Sequence, residues 1–210
     1  MNEIVASLKT IVENLACAQQ KLMRAANAVP ADQWKTRPED GGWSAGELVA
    51  HLSAVEKAIL SRTDKVLKKP PKLVPFYKRF HIPMMIVETR VIRRKAPSAV
   101  EPQMVREKEE MLAELMQVRE RTLAFIEETM ERDLSKYWMS HAFLGNLNAY
   151  DWMQFIASHE IRHMKQMREI ARSLPKTVTS SQSGGGFGRF RSPLLGGGYQ
   201  IRGRSPSGKW

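Results

Sequence analysis

The chain has 210 residues, 42% of them hydrophobic and 26% charged, with one cysteine and a formal net charge of +11. That length admits one domain plus an extension, or at most two small domains. A single cysteine excludes an internal disulfide. The absence of any long apolar run excludes a transmembrane helix.

The charge at first suggests nucleic acid, but it is unevenly spread. From Lys176 onward there are six basic residues and no acidic one, so residues 1–175 carry only +5. The start of the chain holds Glu3 and no basic segment ahead of an apolar block, so the expected location is cytoplasmic.

The first predicted helix covers roughly Glu3 to Asn27. Ile4, Leu8, Ile11, Leu15 and Leu22 recur at helical spacing and define one apolar stripe. Cys17 lies in this stretch and is expected as a small buried hydrophobe. Pro30 and the run Pro38-Glu39-Asp40-Gly41-Gly42 then make a loop.

The second helix starts at Ser44, where Ser44 and Glu47 have the spacing of a capping box. Leu48, Leu52, Val55 and Ile59 form its inner stripe, and His51 falls within it. Lys68-Lys69-Pro70-Pro71 ends it. From Pro70 to Pro102 the chain is broken by prolines, as in a crossover connection; His81–Val87 is apolar and suits a short helix, a flap or a homodimer surface.

The third helix is predicted over roughly Gln103–Glu131, with Met104, Met111, Leu115, Val118, Thr122, Phe125 and Thr129 on one face. The fourth runs from about Asn148 to Ser173. Trp152, Phe155, Ile156, His159, His163, Met167 and Ile170 share its inner face, and Pro175 follows. No segment alternates long enough to read as a strand. The expected fold is therefore all-α: a four-helix bundle over residues 1–175 with a long crossover connection. Residues 176–210, rich in Gly, Ser and Arg and without periodicity, are expected to be a disordered tail. Its mixture of aromatics and arginines leaves RNA binding as an alternative function, although a plain disordered extension is the simpler account of the composition.

The chemistry rests on histidine. His159 and His163 are four apart on one helix, which puts both rings on one face at a span a metal ion can bridge. His51 on the second helix is the third candidate. Three neutral imidazoles suit zinc, nickel or iron and leave a coordination position open, as catalytic sites do. The plainer alternative is three core histidines, each with its own hydrogen-bond partner. A second alternative is the literal HExxH of His159-Glu160-Ile161-Arg162-His163, in which Glu160 would be the general base of a metalloprotease. Against it, no histidine follows His163. Glu160 is otherwise a candidate proton shuttle beside a ligand. Gln166 is placed to support His163, and Trp43, Trp138 and His141 flank the helix ends where they can line a pocket.

The motifs Gly42-Trp43-Ser44, Glu47-Leu48 and His51-Leu52, the segment His141–Leu147, and Trp152, Phe155, Ile156, His159, Arg162, His163 and Gln166 together resemble the DinB/YfiT-like metalloenzymes. Ala142 departs from the proline expected after His141. The resemblance covers about residues 1–174. It implies a four-helix bundle with a divalent metal on three histidines. It also implies a small-molecule substrate and thiol chemistry, with a low-molecular-weight thiol as cosubstrate for a transferase. Apart from the resemblance, the same ion would equally activate water for hydrolysis.

Overall fold

The computed structural model describes residues 2–71, 74, 75, 77, 79, 83–89, 100, 102 and 104–174, with side chains from Leu8 onward except at Met85. The expected tail, 176–210, lies outside the described residues, as do His81 and Ile82.

Four long helices form the body: α1 (Asn2–Asn27), α2 (Ala45–Leu67), α3 (Lys108–Glu128) and α4 (Ala149–Ser173). α1 packs mainly on α4, α2 mainly on α3, and α2 also meets α4. The apolar stripes explain these pairings. Leu8, Ile11, Leu15 and Leu22 are buried from α1; Leu48, Leu52 and Ile59 from α2; Met111, Leu115 and Val118 from α3; Trp152, Phe155, Ile156, Met167 and Ile170 from α4. No helix among the described residues is long and apolar enough to cross a membrane.

Two helix starts are fixed by reciprocal caps. At α2 the Glu47 amide donates to Ser44 Oγ (3.2 Å) and the Ser44 amide donates to Glu47 Oε2 (2.8 Å). At α4 the Asp151 amide donates to Asn148 Oδ1 (3.0 Å) and the Asn148 amide donates to Asp151 Oδ2 (3.1 Å). The α2 entry is also pinned by a close approach. Gly46 N donates to the Trp34 carbonyl, and an added Cβ at Gly46 would lie 2.3 Å from Val105 Cγ1 and 2.9 Å from Trp34 Nε1. Trp34 itself is buried, with its Nε1–H directed to Met111 Sδ at 3.5 Å.

The mainly helical reading holds, with three adjustments. First, α3 begins at Lys108 rather than near Gln103, so Met104 precedes it and is 72% exposed. Second, a small antiparallel hairpin precedes α4: β1 (Trp138–His141) pairs with β2 (Gly145–Asn148), with His141 opposite Gly145 and Trp138 opposite Asn148. Gly145 has φ +92°, the left-handed conformation that closes a three-residue hairpin loop. Third, Cys17 is exposed rather than buried. Leu15 and Ala18 hold the inner face, and two residues of helix turn Cys17 about 200° from Leu15. Within His81–Val87, a single 3-10 turn spans Met84–Ile86.

Candidate metal centre

The bundle brings His51 from α2 together with His159 and His163 from α4. Their ring centres are 5.2 Å (His51–His159), 5.1 Å (His51–His163) and 4.5 Å (His159–His163) apart. One potential ligand atom from each lies within 4.8 Å of the others, so the three could hold a metal ion.

Two of the rings are oriented from behind. His51 Nδ1 lies 2.7 Å from the Val100 carbonyl, so Nδ1 carries the hydrogen and Nε2 the lone pair. His163 Nδ1 lies 3.1 Å from Gln166 Oε1, which fixes the same tautomer when Nδ1–H donates to that oxygen. Metal-ligating histidines are characteristically oriented this way. Gln166 therefore meets His163 directly, on the side of its ring away from His159. The third ring, His159, stacks on Phe155 at 5.2 Å and 17°.

The His159–His163 separation fits an ion. His159 Nε2 and His163 Nε2 are 3.1 Å apart. Two nitrogens each ~2.0–2.1 Å from one zinc-like ion, at tetrahedral to octahedral angles, are roughly 2.8–3.4 Å apart. A hydrogen bond between the rings would also match that distance, but it cannot satisfy the whole cluster. With two tautomers fixed, Nε2 of His51 and of His163 are both acceptors, and His159 has one hydrogen to offer them. A cation accepts all three lone pairs at once.

Electrostatics favour neutral imidazoles, the form that binds metal. His159 is held well below the usual histidine range, first by burial and then by the neighbouring His163, His51, Arg162 and His141. It exposes more surface than the other two, yet its ring is enclosed by Phe155, His51 and His163. His51 is also lowered, chiefly by burial, with the Val100 carbonyl opposing.

The other expected site residues divide. Trp43 meets His51 at 4.9 Å and closes one side. His141 lies 4.9 Å from Phe155 and 5.2 Å from Trp152, so it joins the site through an aromatic wall. Trp138, three residues earlier on β1, alternates to the opposite face and lies 5.8 Å from the Arg79 guanidinium. The structure does not bring it to the histidines.

Glu160 is committed elsewhere. Arg119 on α3 donates from Nη2 to Glu160 Oε2 (2.9 Å) and from Nε and Nη2 to the two oxygens of Glu56 (2.9 and 3.1 Å). It also donates from Nη1 to the Leu15 carbonyl (2.7 Å). Thr122 Oγ1 adds a 2.5 Å contact to Glu56 Oε1. Glu160 Oε1 is buried without a partner, and burial lifts its carboxyl to about 7 against the pull of Arg119. A zincin base would face the metal; this carboxylate is turned into the core. This four-helix network was not foreseen from the sequence.

The crossover is clamped to α4 beside the histidines. Arg162 donates to the Val87 and Thr89 carbonyls, Lys165 to the Glu88 carbonyl (2.9 Å), and Ser158 Oγ to Glu88 Oε1 (3.2 Å).

A family model described as the DinB superfamily matches residues 14–167, which takes in all three histidines. The chain belongs to the DinB superfamily. An uncharacterized Bacillus subtilis (strain 168) protein, YuaE, is 30% identical over 141 residues, or 67% of this chain and 84% of its own length. No solved structure matches the chain. DinB superfamily membership agrees with a mainly helical body and with a histidine cluster between α2 and α4.

Proposed function

We propose that this protein is a metal-dependent enzyme acting on a small molecule, with one divalent ion held by Nε2 of His51, His159 and His163. The reaction class is transfer of a thiol or hydrolysis. The observation that carries this reading is the shared direction of lone pairs: Val100 and Gln166 occupy the outer nitrogens of two rings, and the inner nitrogens converge.

When bound, an ion of this kind supplies a Lewis acid that lowers the pKa of a coordinated thiol or water. The chain's own residues do the rest. Val100 and Gln166 hold the ligand rings in register. Burial keeps His51 and His159 unprotonated, so both remain available as ligands at neutral pH. Trp43 and Phe155 wall the histidines and exclude bulk water from one side. Three protein ligands leave room for an exchangeable group, in keeping with a catalytic rather than a structural centre. The imidazole set suits zinc, nickel and iron alike.

Metal analysis of the purified protein tests this reading. The wild type should carry one equivalent of a divalent metal, and His51→Ala should lose most of it while remaining folded. Carefully prepared protein that is metal-free, binds no added ion and is indifferent to His51→Ala removes the case. A thermal-shift screen against divalent ions and cellular thiols would then separate transferase from hydrolase chemistry.

A further inference from the structure

The face of α2 that carries His51 continues toward a second feature. Eleven residues on, helical rotation brings Arg62 back to within about 20° of the His51 direction, about 16 Å along the axis. On α4, Trp152 lies within about 20° of the His159 direction and about 10 Å before it. The two lines meet at both ends. His51 faces His159 and His163, and the Arg62 guanidinium carbon lies 5.6 Å from the Trp152 ring centre. Between these ends the rings are continuous: Phe155 stacks on His159, and Phe155, Trp152 and His141 lie within 5.7 Å of one another.

The far end of this wall carries two donors with unused capacity. Arg62 is exposed; it makes one long contact to Ser140 Oγ at 3.5 Å, and no carboxylate among the described residues pairs with it. By contrast, Arg37, Arg106 and Arg119 each have a carboxylate partner. His141 Nδ1 accepts the amides of Phe143 (3.1 Å) and Leu144 (3.2 Å), so its hydrogen sits on Nε2. That Nε2–H has no hydrogen-bond partner among the described residues. Burial and then the nearby Arg62 charge lower the His141 pKa and so favour the neutral ring, whose Nε2–H remains a donor.

We propose that Arg62 and His141 Nε2–H form an anion subsite at the far end of the aromatic wall, and that the substrate is an elongated small molecule with a carboxylate about 10 Å from the atom that meets the three histidines. One guanidinium and one neutral imidazole match a monoanion, and the planar fork of arginine matches a carboxylate. This inference rests on the metal reading above.

The test uses the full chain loaded with cobalt(II), whose thiolate charge-transfer band reports coordination. A series of ω-mercaptoalkanoates of increasing chain length is titrated beside the matching amides. At the length that spans the wall, the acid should bind roughly tenfold or more tightly than its amide, as a charge-assisted pair allows. Shorter acids should show no such preference. Arg62→Gln should bring the acid-to-amide ratio to about one, and Arg62→Lys should restore part of it. If the chain takes up no cobalt, the metal reading is overturned and the subsite goes with it; if cobalt binds but no thiol gives the band, the subsite alone is overturned. If the band forms but the ratio is near one at every length, or survives Arg62→Gln, the subsite alone is overturned. A preference that phosphonate-ended thiols show and carboxylates do not would also overturn the stated substrate class.

Discussion

Replacing Glu160 with glutamine should reverse the usual effect of removing a buried ion pair, and the reversal should depend on pH. In the folded chain the Glu160 carboxyl is raised from its ordinary 4.5 to about 7, mainly by burial. A carboxyl raised on folding binds its proton more tightly in the folded state. It therefore favours folding most below pH 4.5 and loses that contribution as pH rises through 7. Between pH 5 and pH 8 the change amounts to roughly 2–3 kcal/mol. The Glu160→Gln variant would have no such dependence, while Arg119 would keep its paired contacts to Glu56. Urea unfolding of chelator-treated wild type and Glu160→Gln across this range is the assay. The variant should gain roughly 2–3 kcal/mol on the wild type from pH 5 to pH 8. Parallel stability profiles would refute the account of Glu160 as a carboxyl destabilised by burial.

Gln166→Leu should weaken zinc binding roughly 10–100-fold, measured against a chromophoric chelator, because His163 loses the acceptor that orients it. The metal-free melting temperature should change little. Gly46→Ala should cost about 1–3 kcal/mol by calorimetry, since the new methyl would collide with Val105 and Trp34. Asn148→Ala should cost about 1 kcal/mol in denaturant unfolding by removing the α4 cap, and Asn148→Ser should recover most of it. Cys17→Ser, at an exposed position, should stay within about 0.5 kcal/mol of the wild type.

The helices and the histidine triad were legible because each rests on a local repeat. His51 falls on the Leu48–Leu52–Ile59 stripe, and His159 and His163 share a face by spacing alone. Capping makes the α2 start readable from Ser44 and Glu47, and Asn148 and Asp151 carry the same signal at α4. The hairpin was missed because four residues per strand are too few to show alternation; Gly145 before an inward Leu147 was its only mark. The place of Trp138 is hidden for the same reason, since only a strand turns it to the other face of the hairpin from His141. Val100 was beyond reach: a backbone carbonyl chosen by tertiary packing leaves no trace in the sequence. The core network did leave one. Glu56, Arg119 and Glu160 each stand at an apolar position of their helix, and a charge there needs an opposite charge on a neighbouring stripe.

That guanidinium also bears on how the bundle excludes its own near-misses. Leucine-rich stripes tolerate sliding, because one apolar contact resembles the next. Arg119 does not: its partners come from α1, α2 and α4, and it sits on α3. A slip of any one helix by a single turn moves its group about 5.4 Å, out of hydrogen-bond range, and strands an ion in a dry interior. One side chain thus discriminates among stackings that hydrophobicity alone would leave nearly degenerate. Because its partner Glu160 adjoins His159 in the chain, the same discrimination sets the height at which α4 presents its two imidazoles.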